Sequence, residues 1–182
     1  MKRFIYPVTA LTILLGATFF FPLKGAPRSA VIVTDTAATS FPAFRDTFEV
    51  KIGETETYYG DSYIINLEPK KKKGRYVLPV VIGSWEFAAI NQQLNEMPPP
   101  RPMAYDLMTS LVSKTGMNVR SVVIIKLEDN VFYALVLIDN KGQKLAIDSR
   151  PSDAINIALR SKAPIYVERD VFDAAKEEKT KK

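Results

Sequence analysis

Two aspartates and an arginine crowd one short stretch of the chain, 143–159, which reads Q-K-L-A-I-D-S-R-P-S-D-A-I-N-I-A-L. Leu145 and Ile147 alternate with polar neighbours, as in a short strand with one buried face. Asp148, Ser149 and Arg150 turn the corner, and Pro151 suits a first helical position, where φ is preset and no N–H is needed. Asp153 falls in the first turn, facing the positive end of the helix dipole. Ala154, Ile155, Ala158 and Leu159 form the apolar stripe of that helix, while Asp153, Asn156 and Arg160 line a polar face. An acid–arginine–acid cluster here has a structural reading, as helix capping with an internal ion pair. It also has a functional one, as a site.

The residue inventory narrows what such a site could do. The 182 residues contain no cysteine and no histidine. Disulfides, zinc–thiolate sites, Ser–His triads and His-ligated metals are therefore excluded. Catalysis would have to run on carboxylates, Lys, Arg, Tyr, Ser or Thr, or on a metal held by oxygen. The formal charge of +5 is uneven: Lys2, Arg3, Lys24 and Arg28 supply +4 before residue 29, with no acid among them. The remaining 21 basic and 20 acidic residues give a body near neutrality, without the composition of a broad phosphate-binding face.

The elements that must position these residues follow from the apolar pattern. Lys2-Arg3 precede an apolar run from Phe4 to Leu23, so residues 1–28 read as a signal peptide or a membrane anchor. Either places the rest outside the cytoplasm, tethered to a membrane or released. Residues 29–45 read as a linker, 46–178 as one domain and 179–182 as a charged tail. Strands are expected at 48–52, 63–67 and 76–82, then a helix from Ser84 as cap through Asn95. The proline run at 98–102 stops that helix, and a second spans about 104–115 before Gly116. Strands at 120–127 and 132–138 lead to the stretch already described, followed by a short strand at 165–167 and a terminal helix. The expected class is α+β, with a curled, largely antiparallel sheet. Ile82, Ser84, Ala89, Ile90 and Asn91 recur 65 residues on as Ile147, Ser149, Ala154, Ile155 and Asn156, an echo compatible with two repeated three-strand, two-helix halves. Trp85 reads as a core or interface anchor, and Lys70 to Lys73 as a solvated loop tip.

Three segments carry a family likeness: Leu78-Pro79-Val80-Val81-Ile82-Gly83, Pro100-Arg101-Pro102 with Tyr105-Asp106-Leu107, and Ile147 through Ile155. Together they resemble the bifunctional nuclease family over residues 46–178. The resemblance implies a compact, self-associating α+β domain and an activity on RNA and DNA. By motif, it implies catalytic roles for Glu86, Asp106, Asp148 and Asp153, and substrate-binding roles for Arg101, Arg150, Ser152 and Arg160. Asp148 and Asp153 would be ligands of a divalent cation, Mg²⁺ or Mn²⁺. The sequence departs from the family pattern at Ala104-Tyr105, where Thr-His is usual; tyrosine, with a pKa near 10, is a poor base at neutral pH. Two readings therefore stand: a nuclease, or a non-catalytic oligomeric binding or scaffold domain of the cell envelope.

Overall fold

The computed structural model describes residues 40–44, 46–71 and 76–180. The apolar segment 4–23, most of the expected linker, residues 72 and 73 of the lysine run and the chain's last two residues lie outside the described residues. Among those described, no helix is long and apolar enough to cross a membrane.

In chain order the elements are β1 (Thr47–Thr57), β2 (Ser62–Pro69), β3 (Leu78–Gly83), α1 (Ser84–Leu94), α2 (Ala104–Lys114), β4 (Met117–Glu128), β5 (Val131–Asn140), β6 (Gln143–Ser149), α3 (Pro151–Ser161), β7 (Ile165–Glu168) and α4 (Arg169–Thr180). The seven strands form one sheet in the order β3-β2-β1-β7-β4-β5-β6. Two antiparallel meanders, β1-β2-β3 and β4-β5-β6, are joined by β7, which is antiparallel to β1 and parallel to β4. The class is thus α+β as expected. Each meander ends in an edge strand that feeds a helix, β3 into α1 and β6 into α3. Those two helices pack against each other, which brings the two strand-to-helix corners together.

Local chemistry explains the corners. Asp129-Asn130 and Lys141-Gly142 all take positive φ, as two-residue hairpins of the primed type require. Gly116 ends the run after α2 at φ +81, and Lys162 caps α3 in the left-handed region. The helix at 84 differs from expectation: Gly83, not Ser84, is its N-cap, because the chain stays extended one residue less. Trp85 is also not a core residue; its side chain is 83 % exposed.

The strand β5 decides the layering. Ala134, Val136 and Ile138 face the main core beneath the helices, with Ile155, Ala158 and Ile90. Leu135 and Leu137 face the other way and form a second cluster with Val123 and Ala146, against which Phe41 and Phe44 pack. Burial on both faces is why β5 reads as a continuous apolar run.

Candidate functional site

Three helix starts meet at one place, and each brings a carboxylate. Glu86 lies in the first turn of α1, Asp106 in that of α2 and Asp153 in that of α3. Two arginines then divide these acids between them.

Arg160, only 5 % exposed, takes Asp106: its Nε donates to Asp106 Oδ1 at 2.6 Å. Its remaining donors reach Asn156 Oδ1 at 2.9 Å and the Ala89 carbonyl at 3.4 Å. Asn156, itself buried, donates to the carbonyls of Glu86 and Ser152. Asp106 Oδ2 accepts the Met103 N–H at 2.8 Å and so closes the start of α2. Arg160 and Asp106 thereby tie α1, α2 and α3 together and are spent on architecture.

Arg150 takes the other two acids. Its Nε donates to Asp153 Oδ2 at 2.7 Å, and its Nη2 donates to Glu86 Oε1 at 2.9 Å and Asp153 Oδ1 at 3.1 Å. The Tyr105 hydroxyl donates to Asp153 Oδ1 at 2.6 Å. Unlike Arg160, Arg150 is 67 % exposed, and its Nη1 has no partner among the described residues. Hydrogen bonding from Arg150 to Asp153 raises the arginine's pKa and keeps it charged. Burial, and then the hydrogen bond and charge of Asp153, push the Tyr105 phenol up, so it is a neutral donor and not a base.

This second cluster forms the rim of a cleft of about 890 Å³ between α2 and the sheet. The inner wall is apolar, built from residues such as Val136, Ile138, Ile147 and Ile157; Glu86, Arg150 and Asp153 bring the charges. Asp148, at the end of β6, has no side-chain hydrogen bond or ion pair among the described residues. It pairs with Leu135, so its side chain leaves the sheet on the face of Leu135, Leu137 and Ala146, opposite to that of Ile147 and the cleft. Two carboxylates against one guanidinium leave the cleft with a small excess of negative charge.

Of the residues expected to act, Glu86, Asp153 and Arg150 therefore meet at the cleft, Asp148 stands on the other face of the sheet, and Asp106 and Arg160 form a separate pair. Arg101 stands exposed within the proline run between α1 and α2 and does not line the cleft. Ser152 lines a smaller neighbouring pocket. Of the expected cation ligands, Asp148 stands on the other face of the sheet, and both Asp153 oxygens already accept hydrogen bonds. Among the described residues, no three Asp or Glu groups come together as a metal cage would require. The donor set does not fit a resident cation. Tyr105, read from sequence only as the loss of a histidine, is a working member of the network. The signal that could have found it is its place at the start of a helix, on the same turn as Asp106.

The Asp106–Arg160 pair carries a pH dependence. Burial alone would raise the Asp106 carboxyl, but the Met103 N–H and the Arg160 guanidinium outweigh it and hold the group below its ordinary 3.8. The native acid then titrates below the unfolded one, so between the two values the unfolded chain binds more protons and stability rises with pH. The contribution is complete above the unfolded value and is lost as pH falls through the native one. Denaturation midpoints measured from about pH 5 down to about pH 2 should therefore fall less steeply in Asp106→Asn than in the parent.

A family model described as the bifunctional nuclease domain matches residues 67–180. An uncharacterized protein of Mycobacterium tuberculosis (strain H37Rv) is 37 % identical over 106 residues, covering 58 % of this chain and 63 % of that protein. Bifunctional nuclease 1 of Oryza sativa subsp. japonica is 32 % identical over 98 residues, or 52 % of this chain and 30 % of the rice protein. Bifunctional nuclease 1 of Arabidopsis thaliana is 31 % identical over 96 residues, again with 30 % of the plant protein covered. The chain thus spans less than two thirds of the mycobacterial relative and under a third of the plant ones.

Proposed function

The chain belongs to the bifunctional nuclease domain family, and from that premise we propose that its cleft binds a nucleic acid strand and hydrolyses phosphodiester bonds of DNA or RNA. The observation that carries this reading is the exposed Arg150 guanidinium at the cleft, its Nη1 unused, beside Glu86, whose Oε2 has no hydrogen-bond partner among the described residues. That Glu86 oxygen takes the proton from a water as the water oxygen bonds to phosphorus. The ester P–O bond breaks, and the departing oxygen is protonated from solvent. Arg150 offers its unused Nη1 to a non-bridging oxygen, where charge builds up. Glu86 and Asp153 hold that guanidinium in place, and Tyr105 holds Asp153.

The test is digestion of labelled single-stranded DNA and RNA by the full chain, with Mg²⁺ or Mn²⁺ and with EDTA. Cleavage that survives EDTA is expected from a donor set that does not fit a resident cation. Cleavage that requires the metal would mean that the Arg150 pairs give way to one. No cleavage under either condition favours the second reading, a non-catalytic binding domain. The pairing of Glu86 and Asp153 with Arg150 and the acidic surplus of the cleft support that alternative.

In either case the partner set includes a second copy of the chain. Helix α2 has no buried residue, and it exposes Leu107, Met108 and Leu111 beside the exposed Trp85 at the cleft. Monomeric proteins seldom leave such contiguous apolar surface open. Leu107→Glu with Leu111→Glu should convert an oligomer to a monomer in sedimentation velocity, with the circular dichroism spectrum unchanged. A parent that already sediments as a monomer would remove the self-association part. The apolar segment 4–23 supports a site of action outside the cytoplasm, tethered or released.

A further inference from the structure

We propose that a second pocket, on the other flank of Arg150 from the cleft, is a phosphate subsite that holds a backbone phosphate next to the one that is cut. The proposal rests on the nucleic-acid reading of the cleft and supplies what that cleft lacks. A cleft with two carboxylates and one guanidinium offers a polyanion no net attraction, so strand affinity must come from somewhere else.

This pocket, of about 250 Å³, lies between Gly83 at the end of β3, the hairpin residues Asn130 to Phe132, and the first turn of α3. Its ionisable lining is Glu86 and Arg150, one charge of each sign, so the acidic surplus of the cleft does not extend into it. The first turn of an eleven-residue helix supplies the attraction. Pro151 has no N–H, and the N–H groups of Asp153 and Ala154 both go to the Arg150 carbonyl, at 3.1 and 3.0 Å. The Ser152 N–H is the donor left without a protein acceptor among the described residues.

The Ser152 side chain points to the same ligand independently. It is only 7 % exposed and lines the pocket, yet its hydroxyl makes no hydrogen bond within the described residues. The residue is buried while its hydroxyl keeps contact with solvent, so a donor stands ready there for a ligand. One residue thus offers two unspent donors beside the free Nη1 of Arg150. The opposing charge is Glu86, which Arg150 neutralises through Oε1; its other oxygen is folded against Gly83, where a Cβ would come within 2.6 Å of it.

The subsite is tested on the full chain by calorimetric titration with inorganic phosphate at fixed ionic strength. Ser152→Ala should weaken phosphate about tenfold, as loss of a hydrogen bond to a charged group implies. Val131→Trp, on the exposed hairpin, should weaken it similarly by closing the pocket without altering a polar group, and circular dichroism checks that both variants fold. Asp148→Asn should leave phosphate affinity within about twofold, since its carboxylate lies on the opposite face of the sheet. In cleavage, Ser152→Ala should raise KM and spare kcat, the pattern of an anchor away from the reacting bond. Equal phosphate affinity in the parent, Ser152→Ala and Val131→Trp would overturn the subsite. So would tighter binding in Asp148→Asn, which would put the anion on the other face of the sheet. A dinucleoside monophosphate must displace the phosphate; displacement only by 5′-mononucleotides would mean a strand end sits there, against the backbone assignment. Ser152-dependent phosphate binding without any cleavage would retain the anion site and overturn the catalytic reading alone.

Discussion

Arg160→Met should lower unfolding stability by about 3–5 kcal/mol, measured by urea denaturation at neutral pH, with any cleft chemistry altered only through the loss of fold. The guanidinium is almost wholly buried and serves three elements at once: Asp106 on α2, Asn156 on its own helix and the Ala89 carbonyl on α1. Truncation removes these bonds together and leaves the Asp106 carboxylate without its cation. Asp106 keeps the Met103 N–H and is 27 % exposed, so water can partly solvate it, which places the loss toward the lower end of the range. Arg160→Lys should recover little, because an ammonium cannot reproduce the fork that reaches all three acceptors. Replacing both partners, Arg160→Met with Asp106→Leu, should be less damaging than the single change, since no charge is then left unpaired. A single-variant loss below about 1 kcal/mol would mean the pair behaves like a surface ion pair, and the helix junction would need another explanation.

The same pair shows where sequence reasoning reached and where it stopped. Helix α3 was legible because its signals are local: proline at the first position, an acid in the first turn, apolar residues at helical spacing. The polar face of Asp153, Asn156 and Arg160 was legible for the same reason. The hairpin at Asp129-Asn130 was marked by residue types that tolerate positive φ. What could not be read is which acid pairs with which arginine. Arg160 and Asp106 lie 54 residues apart, Arg150 and Glu86 lie 64 apart, and Tyr105 and Asp153 lie 48 apart. Each pairing depends on α1, α2 and α3 converging over one sheet, and no local rule encodes that. The parallel placement of β7 between β1 and β4 was hidden likewise, because a four-residue strand carries no mark of its neighbours. The motif grouped Asp106 and Arg160 with the other polar residues; burial separates them from the cleft.

That separation makes Glu86→Gln the substitution expected to slow cleavage most. A positioned general base contributes roughly 10²–10⁴ in rate, and a carboxamide of the same size cannot take the proton. Glutamine keeps an oxygen that can accept from Arg150 Nη2, so the stability loss should stay within about 1 kcal/mol. Asp148→Asn offers one contrast: its carboxylate lies on the other face of the sheet with no side-chain partner among the described residues, so rate should hold and stability should move by less than about 0.5 kcal/mol. Asp153→Asn offers another. Its carboxylate accepts from Tyr105 and twice from Arg150, so that variant should lose stability and release the guanidinium as well as lose activity. Measured together, initial rates on labelled single-stranded DNA and urea midpoints separate the roles: Glu86→Gln slow but nearly as stable as the parent, Asp153→Asn slow and less stable. A stable Glu86→Gln that cleaves at the parent rate would exclude Glu86 as the base. The activity would then have to depend on Asp153, both of whose oxygens are already committed, and the binding-domain reading would become the stronger one.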